Sequence, residues 1–306
     1  MKVSDIFETK LNEDSNDFFN EVKELSKILR NNCREIYENF YKNDVSEKFR
    51  HSASRLPEDD IYFVAKNKED RKPTDTPEYF HKIMDDALNT ELGERFRSNA
   101  LFTYYKNFSS SSYVVFPFDG YKIATSPYVN DMYILVKDFL TSGAIEKMYV
   151  DFIEDYVELE DDSAKIRADI IPNHVFNLLP KGSWMKQSDF PDLDKFIGVF
   201  ETHTRNMLGN DAVFKASKED YSKLLKRTLE MTENHIRNQA KKYKLVHQPG
   251  DIEIVYPKYN ELMIHSEKFV LVNTAELLRH LVDKDYDYKE TEVIAMLYKN
   301  DLTAFE

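Results

Sequence analysis

Four positions in this chain carry side chains whose chemistry could serve one reaction. Arg71 stands in the polar run 66–77, just after a short apolar stretch. Arg97 and Ser98 stand together ahead of a second aromatic-rich stretch, with Arg95 close by. Glu261 opens a late run of period two, Glu261-Leu262-Met263-Ile264-His265. A guanidinium offers N–H donors in a fixed fork and can hold a pyrophosphate bidentately. A serine hydroxyl at a strand edge can fix an arginine or a carboxylate in place. A carboxylate can bond a ribose hydroxyl and stabilise the oxocarbenium-like centre that forms as a C–N glycosidic bond breaks, as carboxylates do in glycoside hydrolysis. A rival acidic pair, Asp251 and Glu253, lies in the preceding run. Each residue also has a plain alternative. Arg95 or Arg97 can be a surface ion pair, Ser98 a turn or cap, and Glu261 a solvent-facing strand residue.

Other chemistries are excluded by spacing. The seven glycines are 93, 120, 143, 182, 198, 209 and 250, with no two within ten residues of each other. A phosphate loop or a Rossmann turn needs close glycines so that the backbone can approach the anion. Binding of ATP or GTP through such a loop is therefore not expected. The eight histidines are equally dispersed, so no local zinc motif is present and no tightly held zinc is expected; a metal site assembled from distant residues stays open. The run Ser109 to Ser112 has no adjacent base and reads as a solvated loop. Cys33, the one cysteine, can form no intramolecular disulfide; this fits a reducing compartment, and its helical setting suggests a small buried apolar residue. The net charge of −13 opposes broad binding to nucleic acid or anionic membranes. The basic run 223–244 reads as a solvated helix face. No apolar run approaches ~18 residues, and the polar, acidic N-terminus is unlike a signal peptide. A cytoplasmic protein is expected.

The positioning elements follow from periodicity. Apolar residues at three- and four-residue steps predict helices over 17–41, 78–92, 128–156 with a break near Ser142-Gly143, 191–208, 217–243, 274–282 and 289–298. Thr76 and Pro77 have the chemistry of a helix start, and Gly93 that of a stop. Strands are expected over 61–65, 99–105, 113–116, 121–125, 245–246, 251–256, 261–265 and 268–272. Pro117-Phe118-Asp119-Gly120 predicts a turn joining 113–116 and 121–125 as a hairpin. The expected fold is an α+β domain with a mixed or antiparallel sheet core. Its parts are an N-terminal helical segment 1–50, a core 51–273 with a helical insertion over 128–243, and C-terminal helices 274–306. A two-domain split near residue 160 is the alternative.

Taken together, these pieces resemble the ADP-ribosyltransferase pattern, and most nearly the divergent transferase-like proteins of tailed phages. The stretches that carry the resemblance are Asp70 to Thr76, Arg97 to Thr103, the strand ending Val115-Phe116-Pro117, Asn260 to Ile264, and Lys268 to Val272. They cover about 60–130 and 245–273. The resemblance implies an ADP-ribosyltransferase-like core that uses NAD as substrate. Arg71 and Arg97 would bind its phosphates, Ser98 would shape the pocket, and Glu261 would be catalytic. It also implies a protein substrate or partner in the host or phage, in the host cytoplasm or the virion. Three departures stand out. Tyr62 is followed by Phe63 where the family places arginine, so Arg71 or Arg97 must serve. No Ser-Thr-Ser triplet is present. Tyr259 stands where arginine-modifying members carry Glu or Gln. The rival reading is a non-enzymatic phage or host interaction protein with a decayed transferase fold.

Overall fold

A computed structural model describes residues 15–42, 49–52, 60–71, 78–105, 112–129, 131–140, 142–158, 193–210, 212–247, 261–281 and 288–305. Among the described residues ten strands are formed: β1 Phe49–Ser52, β2 Tyr62–Lys66, β3 Leu101–Tyr105, β4 Ser112–Pro117, β5 Lys122–Thr125, β6 Val157–Glu158, β7 Val213–Phe214, β8 Lys244–Val246, β9 Glu261–His265 and β10 Lys268–Val272. Eight of them make one sheet in the order β2-β10-β4-β1-β3-β9-β5-β8, every pair antiparallel. β6 and β7 form a separate ribbon. The protein is therefore α+β with an antiparallel sheet. The expected strand over 251–256 lies outside the described residues.

Strict alternation would leave one face of the sheet in water. This sheet is instead covered on both faces, because consecutive residues are buried in its middle strands: Val114, Val115 and Phe116 in β4, and Leu262, Met263 and Ile264 in β9. Helices supply the cover. On one side lies α1 Ser15–Asn32, whose Val22, Leu25 and Leu29 recur at helical spacing and are fully buried. The chain then passes through α2 Arg34–Ile36 into a π turn, Tyr37–Tyr41. The C-terminal α9 Thr274–Arg279 and α10 Glu290–Lys299 share this core. On the other side lie α3 Glu78–Leu92, α4 Phe96–Asn99, α5 Met132–Leu140, α6 Gly143–Tyr156, α7 Leu193–Leu208 and α8 Lys218–Ala240. Phe80, Met84, Tyr149, Phe200 and Tyr221 fill the space beneath them.

Two local expectations are corrected. The helix expected over 17–41 breaks at Cys33, where ψ turns to 33°. The break lets side chains dock on the sheet: the Cys33 thiol lies 3.7 Å from the Phe116 carbonyl, and the Tyr41 hydroxyl donates to the Val115 carbonyl at 2.8 Å. The hairpin expected between 113–116 and 121–125 does not form. β4 pairs with β1 and β10, whereas β5 pairs with β8 and β9. The turn is present, with Gly120 at φ +82°. Its backbone is used elsewhere: the Phe118 N–H donates to the Lys268 carbonyl and the Asp119 N–H to the Asn32 carbonyl. It thus passes the chain from one half of the sheet to the other.

The expected boundary at residue 50 falls inside β1. Tyr37 stacks on Tyr298 with centroids 3.8 Å apart, and Ser26 donates to the Leu297 carbonyl. The terminal helices are therefore part of the same core as the sheet.

Burial pushes the Cys33 thiol well up from its ordinary value, with Asp119 adding a smaller push. A thiol is nucleophilic only as thiolate. Cys33 is accordingly expected to resist a thiol-titrating reagent in the native protein and to react once urea has unfolded it. Full labelling of native protein within minutes would contradict this placement.

Candidate functional site

Asp85 is the anchor of the site. It stands four residues after His81 on α3, so both side chains leave the same helix face. Gly93, at φ +75°, ends the helix. The chain turns through Glu94 and Arg95 into the single turn of α4 and enters β3 at Leu101. Asp85 is fully buried and receives that turn. Its Oδ1 accepts the Ser98 N–H at 3.1 Å, and its Oδ2 accepts the Ser98 hydroxyl at 2.6 Å and Arg95 Nε–H at 2.9 Å. Ser98 has then given away its one hydroxyl proton. His81 Nε2, 3.2 Å from Ser98 Oγ, must therefore be the donor of that contact, which fixes the Nε2–H tautomer.

The loop after β2 is tied to the same turn. Arg71 N–H donates to the Ser98 carbonyl at 3.0 Å, and Asn67 Nδ2 donates to the Asn99 carbonyl. Asp70, at φ +52°, gives its N–H to Asn99 Oδ1 and accepts from Arg95 Nη1. Asp70 thus bends the loop so that Arg71 reaches the ring that Arg97 also touches. Each guanidinium carbon lies 4.8 Å from the centroid of the Phe102 ring, so the two are no further apart than twice that distance. Arg71 is exposed, whereas Arg97 is buried. The ring faces favour cations, and Phe102 gathers two positive charges on an otherwise acidic protein.

Two histidines flank the pair. Burial is the first cause that lowers the pKa of His81, and the Arg97 charge adds to it. Burial also lowers His51, with Arg71 adding to it, while the bond to the Phe102 carbonyl opposes the shift. Both shifts favour the neutral ring. Their contribution to stability has a fixed sign: folded pKa values below 6.5 mean that the unfolded chain binds more protons, so stability falls as pH drops below that value.

The remaining expected residue, Glu261, is the first position of β9. Its backbone pairs with Tyr104, while Met263 pairs with Phe102. Position 261 is therefore two residues, roughly 7 Å, along the sheet from the strand position beside Phe102. The Glu261 side chain lies outside the described residues, as do Asp251, Glu253, Tyr259, Thr76 and Pro77. Further along β9, Met263 is 1 % exposed, because the helical layer covers it there.

Of the four residues singled out, Arg71, Arg97 and Ser98 come together, and the register brings position 261 to the adjoining stretch of sheet. Ser98 does not lead a strand, since it sits in the helical turn before β3. Arg95 serves as a brace between Asp85 and Asp70. Sequence reasoning missed Asp85, His81, His51 and Phe102. The i, i+4 spacing of His81 and Asp85 on the apolar side of a helix was the available signal, since a carboxylate there must find partners. Among the described residues no group of three or more His, Cys, Asp or Glu is arranged to hold a metal, and no helix is long and apolar enough to cross a membrane. Comparison of the chain with protein-family models, with curated proteins and with solved structures gives no match.

Proposed function

We propose that the chain is an NAD-dependent ADP-ribosyltransferase with an ADP-ribosyltransferase-like core, acting on a host or phage macromolecule. The observation that carries this reading is the meeting of Arg71 and Arg97 on one aromatic ring, held by the Asp85–Ser98 frame. In this reading the two guanidiniums bind the diphosphate of NAD, whose charge they match. Ser98 holds the turn that carries Arg97. Glu261, next along the sheet, stabilises the positive charge that grows on the ribose as nicotinamide departs. Arg71 is the exposed member and so meets the ligand without unfolding the frame.

The test is incubation of the purified protein with labelled NAD and lysate, together with thermal denaturation. Label transferred to a macromolecule, and nicotinamide released, support the proposal. NAD at about 100 times its Kd adds ~2.7 kcal/mol of stability, a shift of several degrees, whereas ATP at the same concentration gives none. Arg71→Ala removes the NAD shift and leaves the unliganded Tm in place. Stabilisation by ATP with none by NAD overturns the proposal. If NAD and every lysate protein stay unmodified, the chain is a binding protein on a transferase-like frame.

A further inference from the structure

His51 stands where the β1–β3 ladder stops. The last register pair is Arg50 with Tyr104. Beyond it, His51 Nδ1 lies 2.9 Å from the Phe102 carbonyl. A carbonyl oxygen only accepts, so Nδ1 carries the proton and donates it. A neutral imidazole has one N–H, which leaves Nε2 as a lone-pair acceptor of fixed direction. Among the described residues Nε2 has no hydrogen bond. The ring is partly exposed, so a reactant can reach it. The residue whose carbonyl fixes this ring is also the one whose aromatic face carries Arg71 and Arg97. In the proposed transfer the arginines hold the diphosphate and Glu261 meets the ribose cation. No group yet takes the proton of the incoming nucleophile.

We infer that His51 Nε2 is the general base of the transfer and that the acceptor is a hydroxyl group, of a serine, a threonine or water. This rests on the transferase reading. The acceptor oxygen bonds to the ribose carbon while the bond from that carbon to the nicotinamide nitrogen breaks. The bonding pair leaves with the pyridine ring, and the acceptor's proton passes to Nε2 and then to solvent. Atoms and charge balance as NAD plus hydroxyl giving an ADP-ribosyl O-glycoside (free ADP-ribose when the acceptor is water), nicotinamide and one proton. A hydroxyl suits the site better than a cationic side chain, because the Phe102 ring already carries the positive charges of Arg71 and Arg97. Arg71 is the charged group acting on His51. The two negative charges of a bound diphosphate offset it, so the base strengthens when substrate is in place.

His51→Asn tests the inference, because an amide nitrogen near the Nδ1 position keeps the bond to the Phe102 carbonyl and removes the base. The expected result is a kcat at least ~100-fold lower, the low end of a general base's contribution. KM and the NAD Kd stay within about threefold of wild type, and added imidazole restores part of the rate. Wild-type kcat/KM falls as pH drops through a value below the ordinary 6.5, because the protonated ring accepts nothing, and the variant lacks that limb. A raised KM with unchanged kcat, or an unchanged limb in the variant, overturns the base. Should the variant fail to fold, a wild-type profile with no acid limb overturns it alone. Wild type that neither binds nor cleaves NAD overturns the transferase reading, and this one with it.

Discussion

Glu261→Gln lowers NAD cleavage by at least ~100-fold, a loss of about 2.7 kcal/mol of transition-state stabilisation, and leaves folding stability within about 1 kcal/mol. The amide keeps the shape and the hydrogen-bonding capacity of the carboxylate and removes only its charge. On the proposed reading, charge is what the developing ribose cation needs, so the effect falls on kcat rather than on NAD binding, which that reading gives to Arg71 and Arg97. The small stability effect follows from position. Glu261 is the first residue of β9, where the strand begins, whereas Leu262, Met263 and Ile264 behind it make the core. Nicotinamide release and urea denaturation measure the two parts separately. Equal cleavage by wild type and variant would move the catalytic role to Glu253.

Asp85→Ala costs about 3–5 kcal/mol and abolishes NAD binding. Asp85 accepts the backbone N–H and hydroxyl of Ser98, which is 3 % exposed, and truncation leaves both donors buried. Each unsatisfied buried donor costs roughly 1–3 kcal/mol. The ion pair to Arg95 adds little, because that side chain is 45 % exposed and solvent screens it. The loss of function is indirect. Without Asp85 the turn that presents Arg97, and the Arg71 N–H bonded to it, lose their anchor. Urea denaturation gives the stability term, and a fluorescent NAD analogue gives the affinity. Stability within 1 kcal/mol of wild type, with NAD affinity retained, would show that the frame does not depend on this carboxylate.

The sequence was informative where structure is local. β9 and β10 begin and end where alternation and the Ser266-Glu267 break place them, and the break at Ser142-Gly143 separates α5 from α6. It was uninformative where a distant partner decides. Pro117-Phe118-Asp119-Gly120 has hairpin chemistry, yet Lys268 and Asn32 take its N–H groups, and neither is visible from the turn. Ser98 reads as the head of a strand because Ala100 to Thr103 is β-like. Asp85, thirteen residues earlier, instead draws it into a helical turn. Arg71 and Arg97 were each ambiguous as single residues. What brings them together is the Phe102 ring that both guanidiniums touch, which no spacing rule links to position 71.

β1 joins two halves of the sheet. Its four residues, Phe49–Ser52, pair with β3 on one side and β4 on the other; without it the order falls into β2-β10-β4 and β3-β9-β5-β8. Yet both halves wait for strands from the end of the chain, β9 and β10. During synthesis the N-terminal strand therefore emerges long before the neighbours of its own neighbours exist. Closing such distant pairings is slow and leaves unpaired strand edges in the meantime. β1 can pair with β3 and β4 once residue 117 has left the ribosome, but the outer edges of those two strands stay open until residue 272 has followed.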